Sequence, residues 1–390
     1  MSSSPLVVTD VTIVGGGIAG LWLANLLCAR GYNVTLFERG GVGGEQTLAS
    51  QGMIHGGLKY ALSGNLTKSS EAIAKMPVRW RECLAGRGEI DLRALAPLSE
   101  RYYLFAEAST FGQLTSFFAS KSLRGRVKKL KPTDYPPAFA EFTGVVYELD
   151  DFVLDTSALL RELLEPIADR VLHHDFDPKT CFLGNRAVGT PVRLHIGNAR
   201  IETDRLILCA GTATQSLLDD LKIPSPTMQL RPLHQVIVRH AYPHPLYAHC
   251  LTRIRRAEPR LTITSHRDGD GWLWYLGGQL ATRGVDKSTE ELSLHARDEL
   301  EECVPWINWA EARFSTLRVD RAEPKQESGQ RPDEAFAQTC GNCIVCWPTK
   351  LSLVPDLGDR VVELLDPPRH AAQVSFGLSS ANVAPFPWRM

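Results

Sequence analysis

A glycine turn near the start of the chain is the feature that most restricts its fold. The residues from Gly15 to Gly20 have the pattern G-x-G-x-x-G, and they follow a β-rich run from Val7 to Val14. A helix-forming stretch from Leu21 to Arg30 comes next, and a second β-rich run then ends at Glu38. This order predicts a βαβ unit with a right-handed crossover, whose ligand lies at the carboxyl ends of the strands.

The spacing inside the turn predicts a dinucleotide. Gly15 allows the tight turn, Gly17 lets the backbone approach a diphosphate, and Gly20 permits close packing of the helix on the strand. The amino terminus of the helix then faces the phosphates, and an acidic residue about 20 positions further on binds the ribose. A turn that serves packing alone would not require this combination. The predicted nucleotide contacts of the unit are Gly15, Gly17, Ile18, Ala19, Gly20 and Glu38.

The segment after Glu38 favours FAD over a nicotinamide cofactor. It is rich in glycine and small polar residues as far as Tyr60, so an extended backbone can pass close to a long ligand. The chain has no second G-x-G-x-x-G after another strand, and the absorbance of the purified protein would separate the two cofactors. The residues of this segment predicted to contact FAD are Arg39, Thr47, Ser50, Gln51, Gly52 and Met53.

Two kinds of β-rich sequence divide the chain. The run 205–211 is almost entirely apolar, as in a parallel sheet buried on both faces, whereas 224–331 alternates apolar and polar residues, as in an antiparallel sheet. One helix, from Thr289 to Cys303, interrupts the second region and is ended by Pro305. We therefore predict an α/β fold with a Rossmann-type FAD-binding domain and a largely antiparallel substrate domain. The predicted boundaries are 5–90, 145–222 and 336–390 for the first domain, and 91–144 and 223–335 for the second.

At this point the chain resembles the D-amino acid oxidase (DAO) superfamily of flavoproteins, which includes glycine oxidase, sarcosine oxidase and glycerol-3-phosphate dehydrogenase. Gly15 to Glu38 resembles the family's FAD fingerprint, and Asp155-Thr156 before a helix resembles its second nucleotide-domain segment. The strand end Leu208-Cys209-Ala210-Gly211 is similar to a third. The resemblance implies an FAD-dependent oxidoreductase with a glycine oxidase-like fold, and it adds Ala210 and Gly211 to the expected FAD contacts.

Two further segments look like the glycerol-3-phosphate dehydrogenase branch and imply site residues. Ile54 to Tyr60 is similar to one motif of that branch, with lysine in place of the usual arginine, and Trp347 to Leu351 is similar to its Gly-Gly-Lys stretch without the glycines. A histidine near the flavin can act as a general base or only as a hydrogen-bonding group, while Lys and Arg can bind a substrate carboxylate or phosphate. The candidate catalytic residues are His55, Lys59, Lys350, Arg321 and His234. Arg331 is a further cation, and like Arg321 it lies where the chain returns from the substrate domain.

The carboxyl terminus departs from the family pattern. DAO flavoproteins usually end with a glycine-rich loop leading into a helix whose amino terminus faces the flavin. Here the run from Gly377 to Pro385 resembles that loop, which adds Gly377, Ser379 and Ser380 to the expected FAD contacts, but Met390 leaves little length for a helix. We expect the dipole of such a helix to be weakened or supplied by another segment.

An aromatic run in the second region has two interpretations. Trp272, Trp274, Tyr275 and Gln279 could place an aromatic wall and an amide over the flavin. On a strand Trp272 and Trp274 share one face, so a plain sheet core explains the run equally well.

Charge and cysteine content exclude several classes of protein. The net charge of -1 leaves no broad basic field for nucleic acid or an anionic membrane. The amino terminus lacks a secretory signal, and no apolar stretch has the length of a transmembrane helix, so we expect a cytoplasmic protein with reduced thiols. Three of the nine cysteines fall between Cys340 and Cys346, but Cys343 and Cys346 point to opposite faces of a strand, so no metal is predicted.

These features predict an FAD-dependent oxidase or dehydrogenase that oxidises a CH-NH or CH-OH carbon of a small anionic substrate by hydride transfer to flavin N5. The electron acceptor, oxygen or a quinone, is left open. One alternative is a flavin-binding redox sensor or interaction protein with little turnover, suggested by the short carboxyl terminus. The other is a nicotinamide-dependent dehydrogenase.

Overall fold

Two β-sheets organise the chain in its computed structural model, which describes residues 6–57, 68–107, 127–196, 199–251, 259–327, 332–371 and 377–389. The strands of the described residues are β1 (Leu6–Val14), β2 (Val34–Glu38), β3 (Met53–Ile54), β4 (Tyr102–Ala106), β5 (Val127–Lys129), β6 (Val145–Leu149), β7 (Phe152–Val153), β8 (Val171–His173), β9 (Cys181–Phe182), β10 (Val192–Ile196), β11 (Ala199–Leu208), β12 (Met228–His240), β13 (Ala248–Cys250), β14 (Leu261–Asp268), β15 (Gly271–Gly277), β16 (Arg313–Pro324), β17 (Phe336–Cys340) and β18 (Cys343–Trp347).

Local sequence explains where several helices begin. The helices of the described residues are α1 (Ile18–Ala29), α2 (Lys68–Leu84), α3 (Thr156–Leu164), α4 (Thr214–Asp220), α5 (Gln279–Arg283), α6 (Thr289–Cys303) and α7 (Val354–Glu363). Helix α6 has the predicted bounds, Thr289 to Cys303. Ser288 and Glu291 form a capping box that fixes its first turn. Asp155 caps α3, since its carboxylate accepts a hydrogen bond from the Ala158 amide at 2.9 Å. Helix α1 begins three residues earlier than its sequence pattern predicts, directly after Gly17.

The first sheet has the parallel arrangement of a Rossmann-type domain. Its order is β17-β18-β11-β1-β2-β8, with β10 and β9 attached beyond β11, and β18, β11, β1, β2 and β8 all run parallel. Strand β1 lies between β2 and β11, so successive connections leave it in opposite directions. The crevice at the carboxyl end of β1 is therefore the expected ligand position.

A row of aliphatic side chains across four of these strands holds the helical layer in place. Leu36, Ile13, Ile207 and Ile344 are neighbours in the strand register, and each is completely buried. They pack in the same apolar cluster as the core residues of α1 and α7. Burial of each such side chain contributes about 1.5–3 kcal/mol, so the layer under the glycine turn is firmly anchored.

The second sheet is almost entirely antiparallel. Its order is β16-β12-β15-β14-β13-β4-β6-β5, and only the pair β13 and β4 is parallel. One face packs against α6, whereas Ile237, Leu273 and Tyr275 on the other face join the core of the first sheet. The predicted combination of a Rossmann-type domain with a largely antiparallel sheet is thus confirmed.

One predicted boundary differs from the strand pairing. The segment starting at residue 145 was assigned to the FAD-binding domain, but β6 (Val145–Leu149) pairs with β4 and β5 in the second sheet. Strand β6 therefore lies in the second sheet, between β4 and the edge strand β5. We propose that the crossing between the domains follows Leu149.

No helix in the described parts of the chain combines the length and the apolar character that crossing a bilayer demands.

Candidate active site

A cavity of about 400 Å³ lies where the two sheets face each other. The carboxyl ends of β1, β11 and β18 form its floor through Val14, Cys209 and Cys346. Strands β12 and β16 of the second sheet form the opposite wall. The cavity therefore occupies the crevice that the strand order predicts.

The glycine turn forms one end of this cavity, and its geometry requires glycine. Gly15 has φ +108°, and a Cβ atom there would lie 2.5 Å from the Cys209 carbonyl oxygen. A Cβ atom on Gly20 would lie 2.0 Å from the Gly15 oxygen, so this helix position touches the turn directly. Gly17 lines the cavity as the residue before α1, and Gly20 faces the packed interior instead. The helix amino terminus thus opens into the cavity, where it can bind an anion.

Glu38 stands at the carboxyl end of β2 beside this turn. Its two carboxylate oxygens accept hydrogen bonds from the amides of Gly16 at 2.7 Å and Gly40 at 2.8 Å. Next to it, His174 and Asp175 line the same end of the cavity, and burial lowers the pKa of His174 below its usual range. A carboxylate fixed here is suited to accepting hydrogen bonds from ribose hydroxyls.

The loop from Arg39 to Met53 passes along the cavity and is tied to both sheets. Thr47 accepts a hydrogen bond from the Ile18 amide at 3.1 Å, which places its hydroxyl at the start of α1. Gln51 donates to the Thr262 carbonyl at 3.1 Å and to the Tyr275 carbonyl at 2.9 Å. The loop is therefore held over the cavity from the side of the second sheet.

Two further contacts fix the outer part of this loop. Arg39 pairs with Glu45 at 2.9 Å, and Glu45 also accepts a hydrogen bond from Thr212. Thr212 follows Ala210 and Gly211, which both line the cavity. The loop is thereby joined to the segment after β11.

Two buried polar atoms in the cavity wall lack a hydrogen-bond partner among the described residues. They are the Ser50 hydroxyl and the Trp347 indole nitrogen. An unpaired buried polar group is costly, so both atoms call for a partner that the described residues do not supply. Together with the bare glycine turn, this observation fits a long dinucleotide.

The opposite end of the cavity carries cationic side chains. The Lys350 side chain is only 1% exposed, and its ammonium lies 3.5 Å from an Asp333 carboxylate oxygen. Arg321 donates from Nε to the Arg231 carbonyl at 3.2 Å. The backbone amide of His55 donates to the Ser352 hydroxyl at 2.9 Å, so His55 is fixed at the same end.

The turn that presents Lys350 is strained. Thr349 has φ +59°, a left-handed conformation that costs a β-branched residue free energy. Its hydroxyl donates to the Glu334 carbonyl at 2.9 Å, which compensates part of that cost. Lys350 follows directly, and its ammonium is buried against Asp333.

A helix start also faces this end of the cavity. A 3-10 turn, Leu351–Leu353, follows Lys350 and continues directly into α7. Both Lys350 and Leu351 line the cavity, so the positive end of the helical run lies beside the cations. This helix start is a candidate for the other segment that was expected to supply the dipole.

The sequence model of the family described as FAD dependent oxidoreductase, DAO, matches residues 10–345. The chain belongs to this family. The DAO fold is thereby confirmed, and so is the FAD cofactor that the segment after Glu38 favoured over a nicotinamide.

Known DAO-type proteins resemble the chain over nearly its whole length. The probable FAD-dependent oxidoreductase PA4991 of Pseudomonas aeruginosa is 46% identical over 374 residues, which are 93% of this chain and 94% of the relative. The crystal structure of PA4991 has a TM-score of 0.81, with 38% identity and 98% of both chains covered.

More distant structures share the fold alone. Glycine oxidase from Geobacillus kaustophilus has a TM-score of 0.61 at 17% identity, covering 94% of this chain and 96% of its own. L-alpha-glycerophosphate oxidase from Mycoplasma pneumoniae, with FAD bound, has a TM-score of 0.65 at 13% identity, covering 97% and 99%.

Some predicted site residues of this DAO-family chain lie away from the cavity. His234 is buried on the far face of β12, where its Nδ1 lies 3.0 Å from the Gly284 carbonyl, so it does not line the cavity and its catalytic role stays a prediction. Ser379 and Ser380 lie beside β8, since the Ser379 carbonyl accepts the His173 amide at 2.8 Å and Ser380 pairs with Leu172. Neither of them lines the cavity, and Gly377 does not line it either. Lys59 and Arg331 lie outside the described residues.

Other cavity residues were missed. Leu233 and Gln235 flank His234 on β12, and Val319 lies two residues before Arg321 on β16. The available signal was the alternation of side chains along a strand, since residues two apart point to the same face. Val319 therefore faces the same way as Arg321. The sequence alone could not tell which parity of β12 faces the cavity.

The strand that ends at Trp347 shows why the cysteines do not form one site. Cys343 packs in the cluster on one face of the first sheet and Cys346 in the cluster on the other, as predicted. Burial, reinforced by neighbouring Cys209, raises the pKa of Cys346 well above its usual range. Its thiol is therefore a neutral part of the cavity wall.

Proposed function

We propose that this FAD-dependent oxidoreductase oxidises a CH-NH or CH-OH carbon of a small anionic substrate at the cavity end that contains Lys350, Arg321 and His55. FAD, when bound, supplies the hydride acceptor at its N5 atom. The dinucleotide would be held by the glycine turn, Glu38 and the loop from Arg39 to Met53.

The distribution of charge along the cavity carries the proposal. Among the described lining residues, the carboxylates are Glu38, Glu45 and Asp175, and these belong to the nucleotide end or its loop. Of the lining cations, Arg39 belongs to the loop and pairs with Glu45, whereas Arg321 and Lys350 come from β16 and from the turn after β18. The Lys350 ammonium keeps Asp333 as its ion-pair partner, so a substrate carboxylate or phosphate would bind beside that pair, next to a helix amino terminus.

The protein groups at this end would orient the substrate. Lys350 and Arg321 would bind its anionic group, while Leu233 and Val319 exclude water from its carbon chain. His55 is placed to accept a proton from a hydroxyl or to hydrogen-bond it. An amine substrate reacts in its neutral form and would depend less on His55.

The flavin-binding sensor is the weaker alternative. It was motivated by a carboxyl terminus too short to provide a helix at the flavin. The helical run that starts at Leu351 faces the cavity and removes that motive.

The test is anaerobic reduction of the FAD-loaded protein by amino acids, amines, hydroxy acids and glycerol phosphate, followed by the loss of visible flavin absorbance. We expect reduction by at least one anionic member and none by its uncharged analogue. Reduction by uncharged compounds alone would contradict the anionic substrate. Failure of every compound would contradict the proposed reaction.

Lys350→Met should weaken binding of the reducing substrate about 10- to 100-fold, because a charge-assisted hydrogen bond contributes about 1.5–3 kcal/mol. Titration of the flavin spectrum with substrate measures this affinity. The matched control is Lys325→Met, an exposed lysine away from the cavity, which should retain the parent affinity. Equal affinities of the two variants would remove Lys350 from the site.

A further inference from the structure

The last described segment, residues 377–389, crosses from the first sheet to the second, and we call it the strap. At the first sheet it lies along β8: its Ser379 carbonyl accepts the His173 amide at 2.8 Å, and its Ala381 amide donates to Val171 at 3.0 Å. The strap then reaches the cofactor loop. The Val42 amide donates to the Asn382 carbonyl at 2.8 Å.

The strap supports the part of the loop that lines the cavity. The Ala384 amide donates to the Val42 carbonyl at 3.1 Å, and a Cβ atom on Gly41 would lie 2.6 Å from the Ala384 Cβ. Gly41 and Gly43 line the cavity, and the Gly43 amide donates to the Gly16 carbonyl at 3.1 Å. Ala384 thus backs a loop that is bonded directly to the glycine turn.

Two aromatic residues anchor the strap on the second sheet. Phe386 and Trp388 stack with their ring centroids 4.6 Å apart, and both are buried. Trp388 packs against Tyr275 at 5.0 Å and against His266 at 5.0 Å. Arg239 also donates to the Trp388 carbonyl at 3.1 Å, so this end is held by packing and by a hydrogen bond.

Tyr275 connects this anchor to the cavity. Its hydroxyl lies 2.8 Å from the Ala49 carbonyl and 2.6 Å from the Gln235 side-chain amide. Ala49 and Gln235 both line the cavity, one from the cofactor loop and one from the second sheet. The ring on which Trp388 packs therefore fixes two parts of the cavity wall.

We propose that the strap is a clasp that retains FAD, and that Trp388 is its positioning residue, acting through Tyr275 on Ala49 and Gln235. The inference rests on FAD occupying this cavity. It does not depend on the substrate, because retention is a property of the holoprotein alone.

The test is the rate at which FAD-loaded protein releases flavin after dilution, measured by the recovery of flavin fluorescence. Trp388→Ala should release FAD about tenfold faster or more, which corresponds to about 1.4 kcal/mol. It should also change the visible circular dichroism of the bound flavin. Trp388→Phe keeps an aromatic ring against Tyr275 and should restore most of the retention.

The matched control is Trp309→Ala. Trp309 is equally buried but packs against Trp274, on the face of the second sheet that is turned towards α6. It should lower stability without changing FAD release. If Trp309→Ala releases FAD as fast as Trp388→Ala, the effect is general destabilisation and the clasp is refuted. A parent release rate in Trp388→Ala refutes it as well.

Tyr275→Phe supplies a second variant if Trp388→Ala folds poorly. It removes only the hydroxyl and should also release FAD faster. The double variant with Trp388→Ala should release FAD no faster than Trp388→Ala alone, because both changes interrupt the same connection. Additive effects would overturn the proposed route. Glu38→Ala tests the cofactor position separately: unchanged FAD affinity in that variant would refute the site rather than the strap.

Discussion

Gly20 shows how a single position in α1 controls both packing and cofactor binding. Because Gly20 has no Cβ atom, the first turn of the helix can touch the Gly15 carbonyl oxygen. A Cβ atom on residue 20 would lie 2.0 Å from that oxygen. Glycine inside a helix usually costs about 1 kcal/mol relative to alanine. At this position the close contact outweighs that intrinsic preference.

Gly20→Ala should therefore destabilise the protein by about 1–3 kcal/mol, despite the better helix former, and should weaken FAD binding. Urea unfolding and FAD titration measure the two effects. The control is Gly358→Ala in α7, where the new Cβ would meet Leu26 Cδ2 at 2.7 Å, the end of a side chain that can move. That variant should stay within about 1 kcal/mol of the parent. Stabilisation by Gly20→Ala would show that the turn can accommodate the added Cβ atom.

Among the larger elements, the strap covers a histidine that has no hydrogen-bond partner among the described residues. Both ring nitrogens of His266 are buried, and the ring packs against Phe386 and Trp388. Burial lowers the pKa of His266 to about 4, with a smaller opposing effect of Asp155 and a small reinforcing one of Arg389. The neutral ring is thus the form that the docked strap accepts.

Acid should weaken this docking. The unfolded chain binds a proton at His266 near pH 6.5, whereas the folded chain binds it only near pH 4, so the free energy of unfolding falls as the pH is lowered between these values. The contribution of this group is about 3 kcal/mol over that window. His266→Phe should remove that part of the pH dependence, measured by urea unfolding at several pH values, and should slow FAD release at pH 5.

His240→Phe is the control for that experiment. Burial also lowers the pKa of His240 to about 4, but its ring packs against Trp274 and Trp309, away from the strap. It should flatten the stability profile without altering FAD release at pH 5. If the two variants release FAD alike, the strap does not respond to His266.

At the scale of the whole molecule, the two sheets share one cavity and are expected to unfold together when FAD is bound. Gln51 and the strap join them, and residues that line the cavity come from both sides. FAD at 100 times its dissociation constant should stabilise the protein by about 2.7 kcal/mol. Tryptophan fluorescence, to which Trp274 in β15 and the neighbouring Trp309 contribute, should report that shift together with the flavin signal. A separate tryptophan transition whose midpoint does not change with FAD would show that the two sheets unfold independently.

Local signals were sufficient to predict about half of this arrangement. The glycine turn, Glu38 and the bounds of α6 are determined by neighbouring residues, so local sequence identified them. The assignments of His234, β6 and the helix after Lys350 depended on strand register and on distant packing. A shift of one residue along β12 exchanges His234 for Gln235, and nothing inside that strand distinguishes the two faces.

The position of the strap in the chain has a consequence for biosynthesis. A ribosome completes both sheets and the cofactor loop before residues 377–389 emerge. The strands that form the nucleotide crevice are thus synthesised before the segment that covers Gly41 and Tyr275, so the strap can close only on a crevice whose strands already exist. Flavin can therefore enter before closure, and cells starved of riboflavin should accumulate an empty, sealed form that loads slowly.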